Sequence, residues 1–169
     1  YNPQWEEGNG LSVLAGKPHL HRPFILLMSD HVFHGDMLSQ LLAAQREPDE
    51  TILAIDTNIV DNPQVDLDDV TRVNYSGDKI IQIGKHIKDY NAFDTGMFYS
   101  SGKLFDALEE SIAAGDTSLS GGMSILLKSG LAKVYPIVNA LWIDVDTADM
   151  LTRAEQLLEN GQLPELTIT

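Results

Sequence analysis

Apolar residues along this chain fall into short unbroken runs separated by stretches of helical period, the pattern of alternating strands and helices. The run Phe24-Ile-Leu-Leu-Met28 is bounded by Pro23 and by Ser29-Asp30. Runs of this length suit a strand buried on both faces, as in a parallel sheet with helices on either side. A helix is expected next, with Asp36 as N-cap and Met37, Leu38, Leu41 and Leu42 on one face. Residues 51–55 read as the following strand, so the order predicts a βαβ unit with a right-handed crossover.

The middle of the chain changes character. Residues 56–69 are acidic and polar, with Asn62-Pro63 as a turn signal. Residues 71–75 and 79–83 flank Ser76-Gly77-Asp78 and predict a β-hairpin, and residues 92–99 predict another strand. Two helices follow. Leu104, Phe105, Leu108 and Ile112 share one face before Gly115; Ser118 or Ser120 caps the next, which turns Met123, Leu126 and Leu127 inward and stops at Gly130. Strands are expected over 134–138 and 142–145. Thr147 then caps a last helix carrying Met150, Leu151, Ala154, Leu157 and Leu158. The fold class is α/β, a Rossmann-like mixed but mostly parallel sheet flanked by helices, in one domain over residues 1–163 with 164–169 as a tail.

Composition narrows the function. The 169 residues carry 25 Asp and Glu against 11 Lys and Arg, a formal charge of −14. Such a chain repels phosphate backbones, which argues against a nucleic-acid binder. It contains no cysteine, so thiolate catalysis and cysteine zinc sites are excluded. Residues 1–10 do not resemble a signal peptide, and no apolar run reaches the roughly 20 residues of a membrane span. A cytoplasmic protein without direct membrane insertion is the expectation.

Few residues remain for chemistry. Asp30 stands at the C-terminal end of the first strand, where ligands collect in open α/β sheets; its carboxylate can hold a hard cation such as Mg²⁺ or cap the following turn. Asp144 and Asp146 alternate along Trp142-Ile-Asp-Val-Asp-Thr147 and so share one side of a strand, where one of them could join Asp30 on a metal. Gly8-Asn9-Gly10 is an ordinary turn or a close backbone approach to a ligand. Lys85 ends a strand and can meet a phosphate, and Gly96 in Asp94-Thr95-Gly96 signals a bulge or a close approach. Of the five histidines, His31 and His34 are spaced i, i+3, but no H-E-x-x-H pattern supports a zinc site.

Taken in order, Gly8-Asn9-Gly10-Leu-Ser12, Leu27-Met-Ser-Asp-His-Val-Phe33, Ile83-Gly-Lys85, Asn91-Ala-Phe-Asp-Thr-Gly-Met97, Ser118-Leu-Ser120 and Trp142-Ile-Asp-Val-Asp-Thr-Ala-Asp149 resemble the nucleotidyltransferase family. The resemblance is strongest to its inositol-1-phosphate and phosphocholine cytidylyltransferases. It implies Mg²⁺-dependent attack of a phosphorylated alcohol on the α-phosphorus of a nucleoside triphosphate, CTP by this likeness, with release of pyrophosphate. A sugar 1-phosphate is the alternative acceptor. By the same resemblance Asp30 and Asp144 hold the metal, Gly8, Asn9 and Ser12 lie in the segment around the nucleotide base, Lys85 lies near the acceptor phosphate, and Asp94, Thr95 and Gly96 wall the acceptor pocket. The family's glycine-rich triphosphate loop and Pro-Lys pair have no counterpart before Asp30. The N-terminal βα units are therefore expected to be absent from this chain, leaving one side of the strand at 24–28 bare. An upstream segment or a second copy of the chain would cover that edge; a truncated, non-catalytic binding module is the reading of a different class.

Overall fold

Eight strands and five α-helices form among the residues that the computed structural model describes, 1–60 and 62–163. In chain order they are α1 (Asn9–Leu14), β1 (Phe24–Leu27), β2 (His31–Phe33), α2 (Gly35–Leu42), β3 (Thr51–Asp56), β4 (Arg72–Ser76), β5 (Lys79–Gly84), β6 (Ala92–Ser100), α3 (Lys103–Ala113), α4 (Leu119–Lys128), β7 (Ala132–Pro136), β8 (Trp142–Asp144) and α5 (Ala148–Glu159). The expected tail at 164–169 lies outside the described residues.

The sheet centres on β3, which is buried at every position. Its side chains alternate between two cores, as the period of a strand dictates. Leu53 and Ile55 face α3 and α4, packing with Phe98, Leu104, Leu108 and Met123. Ile52 and Ala54 face the other way, toward Met37 and Leu41 of α2 and toward Phe93, Met97 and Trp142. An unbroken apolar run is what two-sided burial requires. Leu53→Ala, at a position with no exposed surface, is expected to cost about 2–5 kcal/mol, read as a lower urea midpoint with unchanged slope.

The sheet is mixed, but it is not mostly parallel. Among the described residues only β3 and β7 run parallel; β1–β6, β3–β6, β4–β5, β4–β6 and β5–β7 are antiparallel. The strand order β1-β6-β3-β7-β5-β4, with β4 also pairing β6, closes five strands into a ring. Its narrowest joint is the β5–β7 step, a single pair at Lys79 and Lys133. The expected βαβ unit is correct in element order and wrong in adjacency, because β6 inserts antiparallel between β1 and β3. Apolar runs report burial on two faces; they carry no information about the direction of the neighbouring strand.

β1 also departs from expectation. It pairs with β6 alone among the described residues, its side chains are half-buried, and Leu27 is 42% exposed. The cap of α2 is His34, whose Nδ1 accepts from the Asp36 N–H at 3.3 Å; Asp36 itself lies in the first turn. Ser118 caps α4 and Thr147 caps α5, both through backbone N–H groups three residues on. In α5 only Ala154 and Leu157 are buried, and Leu151 and Leu158 face solvent. The segment containing Gly8-Asn9-Gly10 is not simply a turn, because Asn9 opens α1. No helix of the described residues is long and apolar enough to cross a membrane.

Candidate active site

A small two-stranded ribbon builds the centre of the site. β2 pairs antiparallel with β8, placing His31 opposite Asp144 and Phe33 opposite Trp142. The Val145 N–H donates to the Asp30 carbonyl at 2.9 Å and extends the ribbon past its last pair. Asp30, at the exit of β1, is thereby brought beside Asp144. The two aspartates and His31 offer ligand atoms that all lie within 4.8 Å of one another, and a second group, Asp69, Asp144 and Asp146, meets the same criterion. Asp144 belongs to both.

The imidazole of His31 sits between the carboxylates, its Nε2 3.4 Å from Asp144 Oδ2 and 3.9 Å from Asp30 Oδ1. Nδ1 lies 2.8 Å from the Thr95 carbonyl oxygen. A carbonyl only accepts, so Nδ1 carries a proton. The ring stacks on Trp142 at 5.4 Å between centroids. Trp142 is itself fixed, because its Nε1–H donates to the buried Asp56 Oδ2 at 3.1 Å. The Asn58 N–H and Asn62 Nδ2 also donate to Asp56, each at 2.9 Å. A chain of contacts therefore runs from the end of β3 to the ring between the two aspartates.

Gly96 makes this arrangement possible. Its φ is +74°, and a Cβ there would lie 2.5 Å from His31 Nδ1 and 2.7 Å from Met28 Cγ. The sequence suggested a bulge or a close approach to a ligand at Gly96; Gly96 lies where β6 slips register against β3, and the groups packed on it are the chain's own His31 and Met28. Thr95 turns its hydroxyl into the core, donating to the Ala54 carbonyl at 2.9 Å, so its contribution to the site is its backbone carbonyl.

These groups open onto a cleft of about 220 Å³. Asp30, Asp144, Lys85, Asp94, Gly96 and Asn9 all line it, together with Asp69, Asp146, Ser120 and Met123. Lys85 Nζ is held by Asp69 Oδ1 at 2.6 Å, with both side chains about half exposed. Asn9 spends its Oδ1 on the Leu119 N–H at 2.8 Å, at the start of α4. Gly8 and Ser12 do not line the cleft: Gly8 packs against Thr117, and Ser12 Oγ accepts from Asn2. His31, Asp69 and the loop at 64–71 are participants that pattern reading left aside. The Asp30-His31 pair opposite an alternating D-x-D strand was the available signal for His31.

The crowded carboxylates shift one another. Asp144 raises the pKa of Asp146, helped by burial and by Asp30 and Asp69, with Lys85 opposing. Burial pulls the His31 value down, but Asp144, the Thr95 carbonyl and Asp30 outweigh it and the net direction is up. Burial pushes the Asp94 carboxyl up to about 6, against the Gly96 N–H, which donates to it at 2.7 Å, and against His31. The folded protein thus holds the Asp94 proton where the unfolded chain has released it, and stability falls as pH rises from about 4 to about 6. Asp94→Asn keeps an acceptor for the Gly96 N–H. It is expected to raise stability at pH 8 by up to about 2 kcal/mol and to flatten that slope, measured by urea unfolding across the pH range.

No protein-family model matches the chain. The bifunctional IPC transferase and DIPP synthase of Thermococcus kodakarensis is 32% identical over 169 residues, covering 93% of this chain and 34% of that protein. The protein of the same name from Rubrobacter xylanophilus is 30% identical over 160 residues, covering 93% and 35%. The chain spans about a third of the length of these curated relatives. Among solved structures, the inositol-1-phosphate CTP transferase of T. maritima matches with a TM-score of 0.81 at 27% identity, over 94% of this chain and 64% of that one. Over almost its whole length the chain is similar in sequence to a part of these bifunctional proteins and in fold to the inositol-1-phosphate CTP transferase of T. maritima.

Proposed function

We propose that this chain carries the acceptor and metal side of a cytidylyltransferase site, which joins CTP to a phosphorylated alcohol such as inositol 1-phosphate and releases pyrophosphate. The observation that carries the reading is the convergence of Asp30 and Asp144. They come from strands far apart in the chain, meet at one cleft mouth through the β2–β8 ribbon, and leave Asp144 Oδ1 buried without a hydrogen-bond partner. An orphaned carboxylate oxygen beside a second carboxylate suits a hard divalent cation, Mg²⁺ by the family resemblance. Such a cation, when bound, neutralises charge on the phosphates of both substrates.

The chain's own groups do the positioning. Asp30 and Asp144 are the cation's carboxylate ligands. Lys85 lines the same cleft, and its half-exposed pair with Asp69 is weak enough for Lys85 to exchange Asp69 for an incoming phosphate. Asp94 accepts from acceptor hydroxyls through the oxygen that the Gly96 N–H leaves free. Asn9 has its Oδ1 committed to α4, and its Nδ2 donates only weakly to Met28 Sδ at 3.9 Å, a contact that a nucleotide base can replace. The reaction asks for alignment of an existing phosphate nucleophile and needs no activated side chain.

Lys85→Ala is expected to raise the KM for the acceptor phosphate at least tenfold with little change in the KM for CTP. An equal effect on both would remove Lys85 from the acceptor side. The reading as a whole is tested by pyrophosphate release from the purified protein, with CTP, UTP, GTP and dTTP each offered alongside inositol 1-phosphate, phosphocholine or a sugar 1-phosphate. CTP with an alcohol phosphate is the expected pair, and a clear preference for another nucleotide overturns it. Absence of turnover with every pair, while cation binding through Asp144 persists, would make the chain a binding module.

A further inference from the structure

Lys85 and Asp69, paired across one wall of the cleft, sit on two loops that burial does little to hold. Lys85 opens the loop at 85–91, and Asp69 lies in the loop at 64–71. Lys85, His86 and residues 66–68 are all exposed. One side chain reaches both loops. Arg72, at the start of β4, follows the first loop directly and pairs with Gly84, the residue before Lys85. Its guanidinium lies over the Tyr90 ring, 5.1 Å from the centroid. Nη2 donates to the Leu67 carbonyl at 2.8 Å, and Nη1 to the carbonyls of Lys85 at 3.2 Å and Ile87 at 3.5 Å. Among the described residues no backbone N–H donates to any of these three carbonyls. The arrangement leaves the buried Arg72 Nε–H without a partner, which costs stability. Arg72 itself does not line the cleft.

We infer that Arg72 is a positioning residue for the acceptor phosphate: its fork ties the loops at 64–71 and 85–91 into one wall and so fixes where Lys85 Nζ meets that phosphate. The inference rests on the role proposed for Lys85. A guanidinium presents its N–H donors in a rigid planar fork that can serve both loops at once, whereas a lysine ammonium is a point charge on a flexible stem. The bonds go to the main chain at Lys85, so they hold the backbone and leave the amine free to exchange Asp69 for a phosphate. A cation already in place binds its anion without the cost of ordering a loop.

The test compares Arg72→Lys and Arg72→Met with the unaltered protein, by amide hydrogen exchange and by equilibrium binding of inositol 1-phosphate in the presence of Mg²⁺. Both variants should exchange faster at 64–71 and at 85–91 together, while β3 and β6 keep their protection. Both should bind inositol 1-phosphate at least fivefold more weakly. Unchanged binding by Arg72→Lys would show that charge alone suffices, and would overturn the inference. Faster exchange in one loop only, or in neither, overturns it too. A double-mutant cycle with Lys85→Ala separates positioning from general loosening, because that variant keeps the main-chain carbonyl that Arg72 holds. In its background Arg72→Met should change inositol 1-phosphate affinity less than twofold; a full fivefold effect there would make Arg72 merely structural. If inositol 1-phosphate does not bind the unaltered protein, the proposed function is what fails, and hydrogen exchange alone decides whether Arg72 joins the loops. Should Arg72→Met not fold, Arg72→Lys carries each comparison.

Discussion

Asp144→Asn is expected to lower nucleotidyl transfer at least a hundredfold, the range seen when one preorganised charge is withdrawn from a transition state, while leaving the fold as stable or slightly more so. Asp144 stands in both carboxylate clusters, raises the pKa of Asp146, and keeps a buried oxygen without a partner. Each of these is unfavourable in the cation-free protein. Removing one negative charge relieves Asp146 and Asp30 of repulsion, so the melting temperature should hold or rise by a few degrees at low ionic strength. Opposite signs for activity and stability at one residue mark a site maintained for function. A large loss of stability alongside the lost activity would instead make Asp144 a structural residue, held by His31.

Gly96→Ala should be among the most damaging single-methyl changes in the chain, because it combines a positive φ with a close contact. The left-handed φ costs an L-residue about 1–2 kcal/mol. The added Cβ must also displace the His31 ring or Met28, and forced repacking adds about 1–3 kcal/mol. A total of about 2–5 kcal/mol lowers the melting temperature by roughly 5–15 °C in a domain of this size. Gly77→Ala separates the two causes. Gly77 also has positive φ, but a Cβ there meets nothing within 4 Å, so it should cost only the conformational part. Equal losses at the two positions would show that the contact with His31 is unimportant.

Much of this was legible in the sequence, for reasons that differ by element. The strand β3 and the hairpin of β4 and β5 follow from local signals and form as expected, but the two-sided burial read for the run at 24–28 belongs instead to β3. Sheet direction was not legible, because whether β6 or a parallel strand lies beside β1 is decided by chain segments about 70 residues away. Asp30 and Asp144 were legible as strand-end carboxylates. The place of His31 was not: its importance comes from Thr95, Gly96 and Trp142, which reach it only once β6 and β8 are in place. Asn9 read as a ligand group in a turn; in the folded chain one of its two polar atoms is spent on α4, a partner about 110 positions later.

The β2–β8 ribbon joins residues about 110 positions apart, and this bears on when the protein becomes competent. A pairing of that span forms late, after nearer contacts have offset part of its loop-closure entropy. During synthesis, Asp30 and His31 emerge more than 100 residues before Asp144, which lies in the last of the described strands, and wait without it. A stalled chain that ends before Trp142 would contain seven of the eight described strands and still lack one of the paired carboxylates. Capacity to bind a cation through both carboxylates is therefore gained only once β8 has been made and has paired with β2, and copies stopped before it would not hold the metal there.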